Sequence, residues 1–253
     1  MTRLHHVLDG PEGAPPLLLC NSLGTTLELW DPQVAAFASH FRLVRYDQRG
    51  HGRSAVPPGP YSIDDLGTDA LRLLDELGIE RASFCGMSIG GVVGIWLASA
   101  APERIDRLVL CCTAPSFPPR EQWLERAATV RAHGVSAVAE AALDRWFTAN
   151  APSSLRERFR AMLTGTPSEG YAGCCEALAD ADLGDRLAAI EAPTLVVNGA
   201  EDPVAPPDAG ARLAASIPGA RHVTIAEAAH IASTEQPSTF TQHVLAHLTE
   251  ETR

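Results

Sequence analysis

Short apolar runs alternate along this chain with stretches in which apolar residues recur every three or four positions. The runs are Leu17–Asn21, Leu43–Asp47, Ser83–Gly86, Leu108–Cys112, Thr194–Asn198 and His222–Ile225, with His5–Asp9 as a weaker edge candidate. Several are almost continuously apolar, as strands are when helices cover both faces of a parallel sheet. Between them, Ile63–Leu77 carries Ile63, Leu66, Ala70, Leu73, Leu74 and Leu77 at helical spacing and then meets Gly78 as a stop. Ile89–Ala101 is apolar nearly all round, which predicts a buried helix. Pro206–Ser216 and Thr239–Thr249 read as amphipathic helices. This alternation predicts a mostly parallel central sheet with helices on both faces, an α/β fold.

One interval breaks the alternation. Between Ser116 and Ala189 no strand pattern appears, and four helix-like stretches follow one another: Glu121–His133, Val135–Phe147, Ser154–Leu163 and Ser168–Ala179. No Gly/Ser linker brackets them. The expectation is a core built from residues 1–115 and 190–253, with residues 116–189 forming a helical lid inserted between two core strands.

Composition narrows the chemistry. The 253 residues are 45% hydrophobic and 20% charged, enough apolar material for a sizeable core. Net charge is −11, and every one of the 20 basic residues is arginine. Without lysine there is no Schiff-base, pyridoxal-phosphate or P-loop lysine chemistry. The acidic balance argues against nucleic acid and anionic membrane surfaces as partners. It also means that an anionic substrate would need arginines gathered locally. The N-terminus has no apolar signal region and no apolar stretch is long enough to span a bilayer, so a cytoplasmic protein is expected. Cys20, Cys85, Cys111, Cys112, Cys174 and Cys175 form no C-x-x-C pair and read as inert thiols. The sequence carries no signal for oligomeric state.

The strongest chemical signal is Gly86-Met87-Ser88-Ile89-Gly90-Gly91, which fits G-x-S-x-G between a strand and an apolar helix. A nucleophilic serine at a sharp strand-to-helix turn needs small neighbours, because backbone must pass close by. The hydroxyl then stands above the sheet, and the Ile89 N–H, at a helix N-terminus, faces a developing oxyanion. Such a serine needs a base, and the base an orienting acid, in the chain order Ser, acid, His. Asp202 follows the strand Thr194–Asn198, and His230 follows His222–Ile225. Glu201 competes with Asp202 for the acid role. His51 lies near an early strand end but in the wrong order, and His222, His243 and His247 fit worse. The loop Asn21-Ser22-Leu23-Gly24-Thr25-Thr26 after the first long strand is expected to give the second oxyanion donor, the Leu23 N–H. Asp47-Gln48-Arg49-Gly50-His51-Gly52-Arg53-Ser54 lacks a phosphate-loop pattern and reads as a structural turn.

These motifs resemble those of α/β-hydrolases over essentially the whole chain and, more narrowly, those of 3-oxoadipate enol-lactonases. The narrower resemblance rests on Asn21–Thr26 with Trp30-Asp31-Pro32-Gln33, on Tyr46–Gly52 and on the serine elbow. It continues in Arg145-Trp146-Phe147-Thr148, Asp202-Pro203-Val204, Ala229-His230 and Glu235-Gln236-Pro237. Ile89 departs from the Met often found there. The resemblance implies the α/β-hydrolase fold with a helical lid, no metal or organic cofactor, and a small anionic lactone as substrate. It also implies that Trp123, Arg126 and Trp146 meet that substrate. Trp123 and Arg126 lie three apart on one helical face, an apolar wall beside a carboxylate fork. Another hydrolase of the same fold (a carboxylesterase, a perhydrolase-like enzyme, a C–C bond hydrolase) or a ligand receptor that kept the triad are the alternatives.

Overall fold

A computed structural model describes residues 2–250. In chain order the elements are β1 (His6–Asp9), β2 (Pro16–Cys20), α1 (Asp31–Ala38), β3 (Arg42–Tyr46), α2 (Ile63–Glu76), β4 (Ala82–Met87), α3 (Ile89–Ala100) and β5 (Ile105–Cys111). Four consecutive helices follow: α4 (Arg120–His133), α5 (Ser136–Trp146), α6 (Ser153–Thr164) and α7 (Ser168–Ala179). The chain then completes β6 (Thr194–Gly199), α8 (Pro207–Ser216), β7 (Arg221–Ile225), α9 (Ala232–Glu235) and α10 (Pro237–Leu248).

The strands form one seven-stranded sheet in the order β1-β3-β2-β4-β5-β6-β7. Only β1 runs antiparallel, pairing Leu8 with Val44 of β3. The others are parallel, with Leu18 opposite Phe84, Cys85 opposite Val109, and Val109 opposite Leu195. Every residue of β4 and β6 is buried, which is why these strands read as apolar runs without alternation. The α3 helix crosses the sheet beneath the elbow with Val92, Val93, Ile95 and Leu97 wholly buried. Its apolar circumference thus reflects contact on all sides.

The elements predicted from periodicity lie within a residue or two of those observed, except that β5 starts at Ile105, three residues before the predicted Leu108. Two α-helices were not predicted. The α1 helix buries only Gln33 and Phe37, and α9 is four residues long, so neither carries an apolar stripe that a periodicity search could register.

Strand order positions the chemistry. From β2 the chain first moves outward to β3 and then crosses back to β4, on the other side of β2. The loops after β2 and β4 therefore emerge side by side at a point where the winding reverses, the usual place for a ligand in an open α/β sheet. The turns after β6 and β7 emerge at the same edge. The helices α4–α7 approach that edge. In α7, Gly170 lies against Gly50 in the turn after β3, so close that a Cβ on Gly170 would sit 1.9 Å from the Gly50 carbonyl oxygen. Among the described residues, no helix is long and apolar enough to cross a membrane.

This backbone contact yields a test. Gly170→Ala should force α7 off the β3 turn and cost about 1–3 kcal/mol, as overpacking does. Gly13→Ala, where a Cβ meets nothing within 4 Å, is the control. Thermal melts should show Gly170→Ala lowered by several degrees and Gly13→Ala unchanged. Equal melting temperatures would mean that α7 does not bear on the turn.

Candidate active site

Ser88 sits between β4 and α3 with φ 56° and ψ −118°, in the left-handed half of backbone space that side chains rarely adopt. Its conformation is held from several sides. The Ser88 N–H donates to the Cys111 carbonyl at 2.8 Å. Its carbonyl accepts from the Gly91 N–H at 2.8 Å and from the Thr113 hydroxyl at 2.7 Å. The glycines around it are needed for close approach. A Cβ on Gly86 would lie 2.2 Å from the Gly90 carbonyl oxygen, and one on Gly90 would lie 2.5 Å from that of Cys20. Loop β2 and the start of α3 can meet only because Gly90 has no side chain.

The loop after β2 is fixed just as firmly. Asn21 donates from Nδ2 to the Tyr46 carbonyl and accepts at Oδ1 from the Trp30 indole, at 2.7 and 2.9 Å. Gln48 donates to the Asn21 carbonyl at 2.7 Å. The Gly24 N–H donates to Nε2 of His51 at 2.9 Å, so the His51 proton sits on Nδ1, which lies 3.1 Å from the Arg49 carbonyl. Full burial pulls the His51 pKa down to about 4, so the ring is neutral at pH 7 and remains an acceptor. This loop leaves the Leu23 N–H, like the Ile89 N–H, without a hydrogen-bond partner among the described residues. Leu23 lines the cavity above Ser88; the Ile89 side chain is buried in the core and does not.

Asp202 and His230 come from the turns after β6 and β7. His230 Nδ1 lies 2.9 Å from Asp202 Oδ2 and 3.1 Å from Oδ1. The Val204 and Ala205 N–H groups donate to Oδ1 at 2.8 and 3.1 Å, and both side chains are buried. With Nδ1 engaged, Nε2 is the ring nitrogen free to act on a proton. Glu201, next in sequence, points to solvent, and only its backbone takes part, donating to the Ala228 carbonyl. The Cys112 thiol, with Asp202 and His230, forms a group of three possible ligand atoms within 4.8 Å of one another. Burial, with the nearby Asp202 charge, pushes the Cys112 thiol well above its ordinary pKa, so it stays protonated and is a poor metal ligand.

Ser88 and His230 line one cavity of about 350 Å³ together with Leu23, Trp123, Arg126 and Trp146. Trp123 is set by its indole N–H, which donates to the Phe117 carbonyl at 2.7 Å, and Trp146 packs edge-on against Phe159. The Arg126 guanidinium lies between the Trp123 and Tyr171 rings, 5.6 and 5.4 Å from their centroids. Arg145 and Tyr171 line the same cavity. The arrangement supplies a strained serine, a histidine with a fixed tautomer, two free N–H groups and two arginines, all bordering one cavity. That set suits attack on an acyl carbon in a molecule that also bears negative charge.

A family model described as alpha/beta hydrolase fold matches residues 15–145 and 141–237. The chain belongs to that family. It is 41% identical over 247 residues to 3-oxoadipate enol-lactonase 2 of Acinetobacter baylyi, an alignment covering 96% of this chain and 92% of the relative. The enol-lactonase structure from Burkholderia xenovorans superposes with a TM-score of 0.96 at 45% identity, covering 98% of this chain and 97% of that one. A hydrolase structure from Pseudomonas aeruginosa gives a TM-score of 0.94 at 48% identity, covering 98% and 95%.

Two residues with a part in shaping the site escape sequence reasoning. One is His51, in a run whose glycines signal a turn but whose ring contact with Gly24 spans 27 residues. The other is Glu235. Its Oε1 accepts from the Thr148 N–H and its Oε2 from the Ala229 N–H, both at 2.8 Å, so it ties the end of α5 to the residue before His230. The Ile231 N–H, donating to the Trp146 carbonyl at 3.0 Å, closes the same link from the other side of His230. Only the position of Glu235 in a run shared with a known family hinted at it.

The His51 pKa predicts a pH dependence of stability. In the unfolded chain the ring titrates near 6.5, and in the fold near 4. Between those values the unfolded state binds a proton that the native state refuses, so stability falls as pH drops from 6.5 and this contribution levels off below about 4. The full effect is about 3 kcal/mol. His247, also held near 4 by burial, adds a slope of the same sign. Urea unfolding at pH 7, 5.5 and 4.5 should show a shallower decline for His51→Gln than for the wild type. Parallel declines would mean that His51 titrates normally.

Proposed function

We propose that this chain is a serine hydrolase that opens the lactone ring of 3-oxoadipate enol-lactone, a small anionic substrate of aromatic catabolism, in the cytoplasm. Ser88 Oγ attacks the lactone carbonyl while His230 Nε2 takes its proton, and Asp202 holds the ring by Nδ1. The Leu23 and Ile89 N–H groups receive the oxyanion, each worth about 3–4 kcal/mol if the hole forms around the tetrahedral carbon. Collapse breaks the ring C–O bond, and His230 returns the proton to the departing enol oxygen. The enol remains tethered to the acyl chain. Water, deprotonated by His230, then displaces Ser88, and the freed enol tautomerises to the ketone. Residues 116–189 act as the lid over a core of 1–115 and 190–253, with Trp123 and Trp146 as apolar walls and Arg126 facing the substrate carboxylate. Each step uses only side chains, backbone amides and water.

The observation that carries this assignment is the shared cavity: Ser88, a His230 fixed by Asp202, and Arg126 all line it. The relatives named enol-lactonases point to the same substrate class.

Steady-state kinetics on the enol-lactone test it. Ser88→Ala should lower kcat by about 10⁴-fold or more with the melting temperature kept. Asp202→Asn should be severely impaired, while Glu201→Gln stays near wild type. A wild type without turnover on the lactone would contradict the substrate. An impaired Glu201→Gln beside an active Asp202→Asn would move the acid to Glu201.

A further inference from the structure

Arginines in this protein are mostly paired with carboxylates. Arg49 meets Asp69 at 2.6 Å, Arg131 bridges Glu169 and Glu176, and Arg160 meets Glu140 at 2.7 Å. The two that line the cavity above Ser88 are different. Among the described residues, Arg126 on α4 and Arg145 near the end of α5 form no ion pair and no hydrogen bond to a carboxylate or carbonyl oxygen. Arg126 Nε is buried without a partner, and the hydroxyl of Tyr171, a fully buried residue on α7 that lines the same cavity, has none beyond the neighbouring Arg126 side chain.

The two cations are close enough to feel each other. Burial, and then the positive charge of Arg126, lower the Arg145 pKa from its ordinary value. Asp144, the acidic neighbour of Arg145 in sequence, is engaged by Arg156 at 2.6 Å. Among the described residues, no carboxylate forms an ion pair with either of these two half-buried guanidiniums. Two like charges held together in a partly dry cavity, beside a phenol whose proton has no acceptor, are costly when it is empty. An anion that accepts from both arginines and from the Tyr171 O–H removes that cost.

We propose that Arg145 joins Arg126 as the second cation of a carboxylate-binding subsite, closed by the Tyr171 hydroxyl, which makes this hydrolase selective for esters and lactones that carry a carboxylate remote from the acyl carbon. The inference rests on the serine-hydrolase assignment but not on the identity of the lactone. Hydrolysis adds water across the acyl C–O bond and leaves a second carboxylate at the Ser88 end. The product is therefore a dicarboxylate, with its original carboxylate still in the arginine subsite. Short dicarboxylates such as glutarate and adipate should accordingly compete with substrate.

The experiment compares mono-p-nitrophenyl glutarate with neutral p-nitrophenyl butyrate for the wild type, Arg145→Ala, Arg145→Lys, Arg126→Ala and the double variant. The wild type should favour the anionic ester. Arg145→Ala should collapse the ratio of anionic to neutral kcat/KM by about 10–100-fold, mostly through KM, the loss of one charged hydrogen bond. Arg145→Lys should restore part of it. The double variant should lose less than the product of the single losses, because both side chains hold one carboxylate. Glutarate inhibition should weaken in step. An unchanged ratio in Arg145→Ala, whether activity is kept or lost equally on both esters, overturns the proposal.

The same enzymes assayed on the enol-lactone separate the two claims. A wild type that ignores the lactone yet shows an Arg145-dependent preference for the anionic ester would sink the assigned substrate and keep the subsite. A wild type that opens the lactone with an Arg145→Ala ratio unchanged would do the reverse.

Discussion

The structure turns on one backbone constraint, the strained bend at Ser88. A non-glycine residue at φ 56° and ψ −118° costs on the order of 1–3 kcal/mol and persists only where its surroundings leave no alternative. Here they leave none. The carbonyl oxygen is engaged by Thr113 and by the first turn of α3, the N–H by β5, and neighbouring backbone passes within contact distance of Gly86 and Gly90. What the strain achieves is placement. The hydroxyl stands at the sheet edge beside the loop after β2, with the N-terminus of α3 behind it.

Around that bend, separate turns are joined so that they cannot drift. The turn after β6 is tied to the turn after β7 by backbone bonds from Ala200 to Ile225 and from Glu201 to Ala228, and Gly199 allows Ala228 and Ala229 to come within contact distance. Glu235 and the Trp146 carbonyl extend the link to the end of α5. His230 is thus positioned both by Asp202 and by the helices that cover it. His51 does the corresponding service for the loop after β2 and can do so only as a neutral ring, which burial secures. Placement of the reacting groups and the cover over them are one connected network. These bonds couple the position of the α5 end to that of His230.

Much of this was legible in the sequence, for physical reasons that can be named. Buried parallel strands give unmistakable apolar runs, and the elbow needs Gly86, Ser88 and Gly90 in fixed positions. Asp202 and His230 stand out in the sequence because each follows such a strand, and the fold brings the two side chains within 2.9 Å of each other. The helices α1 and α9 were not legible, since they bury too little to leave a stripe. The partners of His51 and Glu235 were not legible either: Gly24 lies 27 residues from His51, and Thr148 lies 87 from Glu235. Only the fold brings them together. Arg145 was visible as a residue, but its missing counter-charge is a property of three dimensions.

The central claim is that Ser88 carries the acyl group between ring opening and hydrolysis. Rapid-quench mass spectrometry of the wild type with a slowly deacylating carboxylate-bearing ester tests it most directly. The account predicts a transient adduct of the acyl mass on the peptide containing Ser88, decaying at the turnover rate and missing in Ser88→Ala. An adduct on another residue, or turnover undiminished in Ser88→Ala, would contradict it.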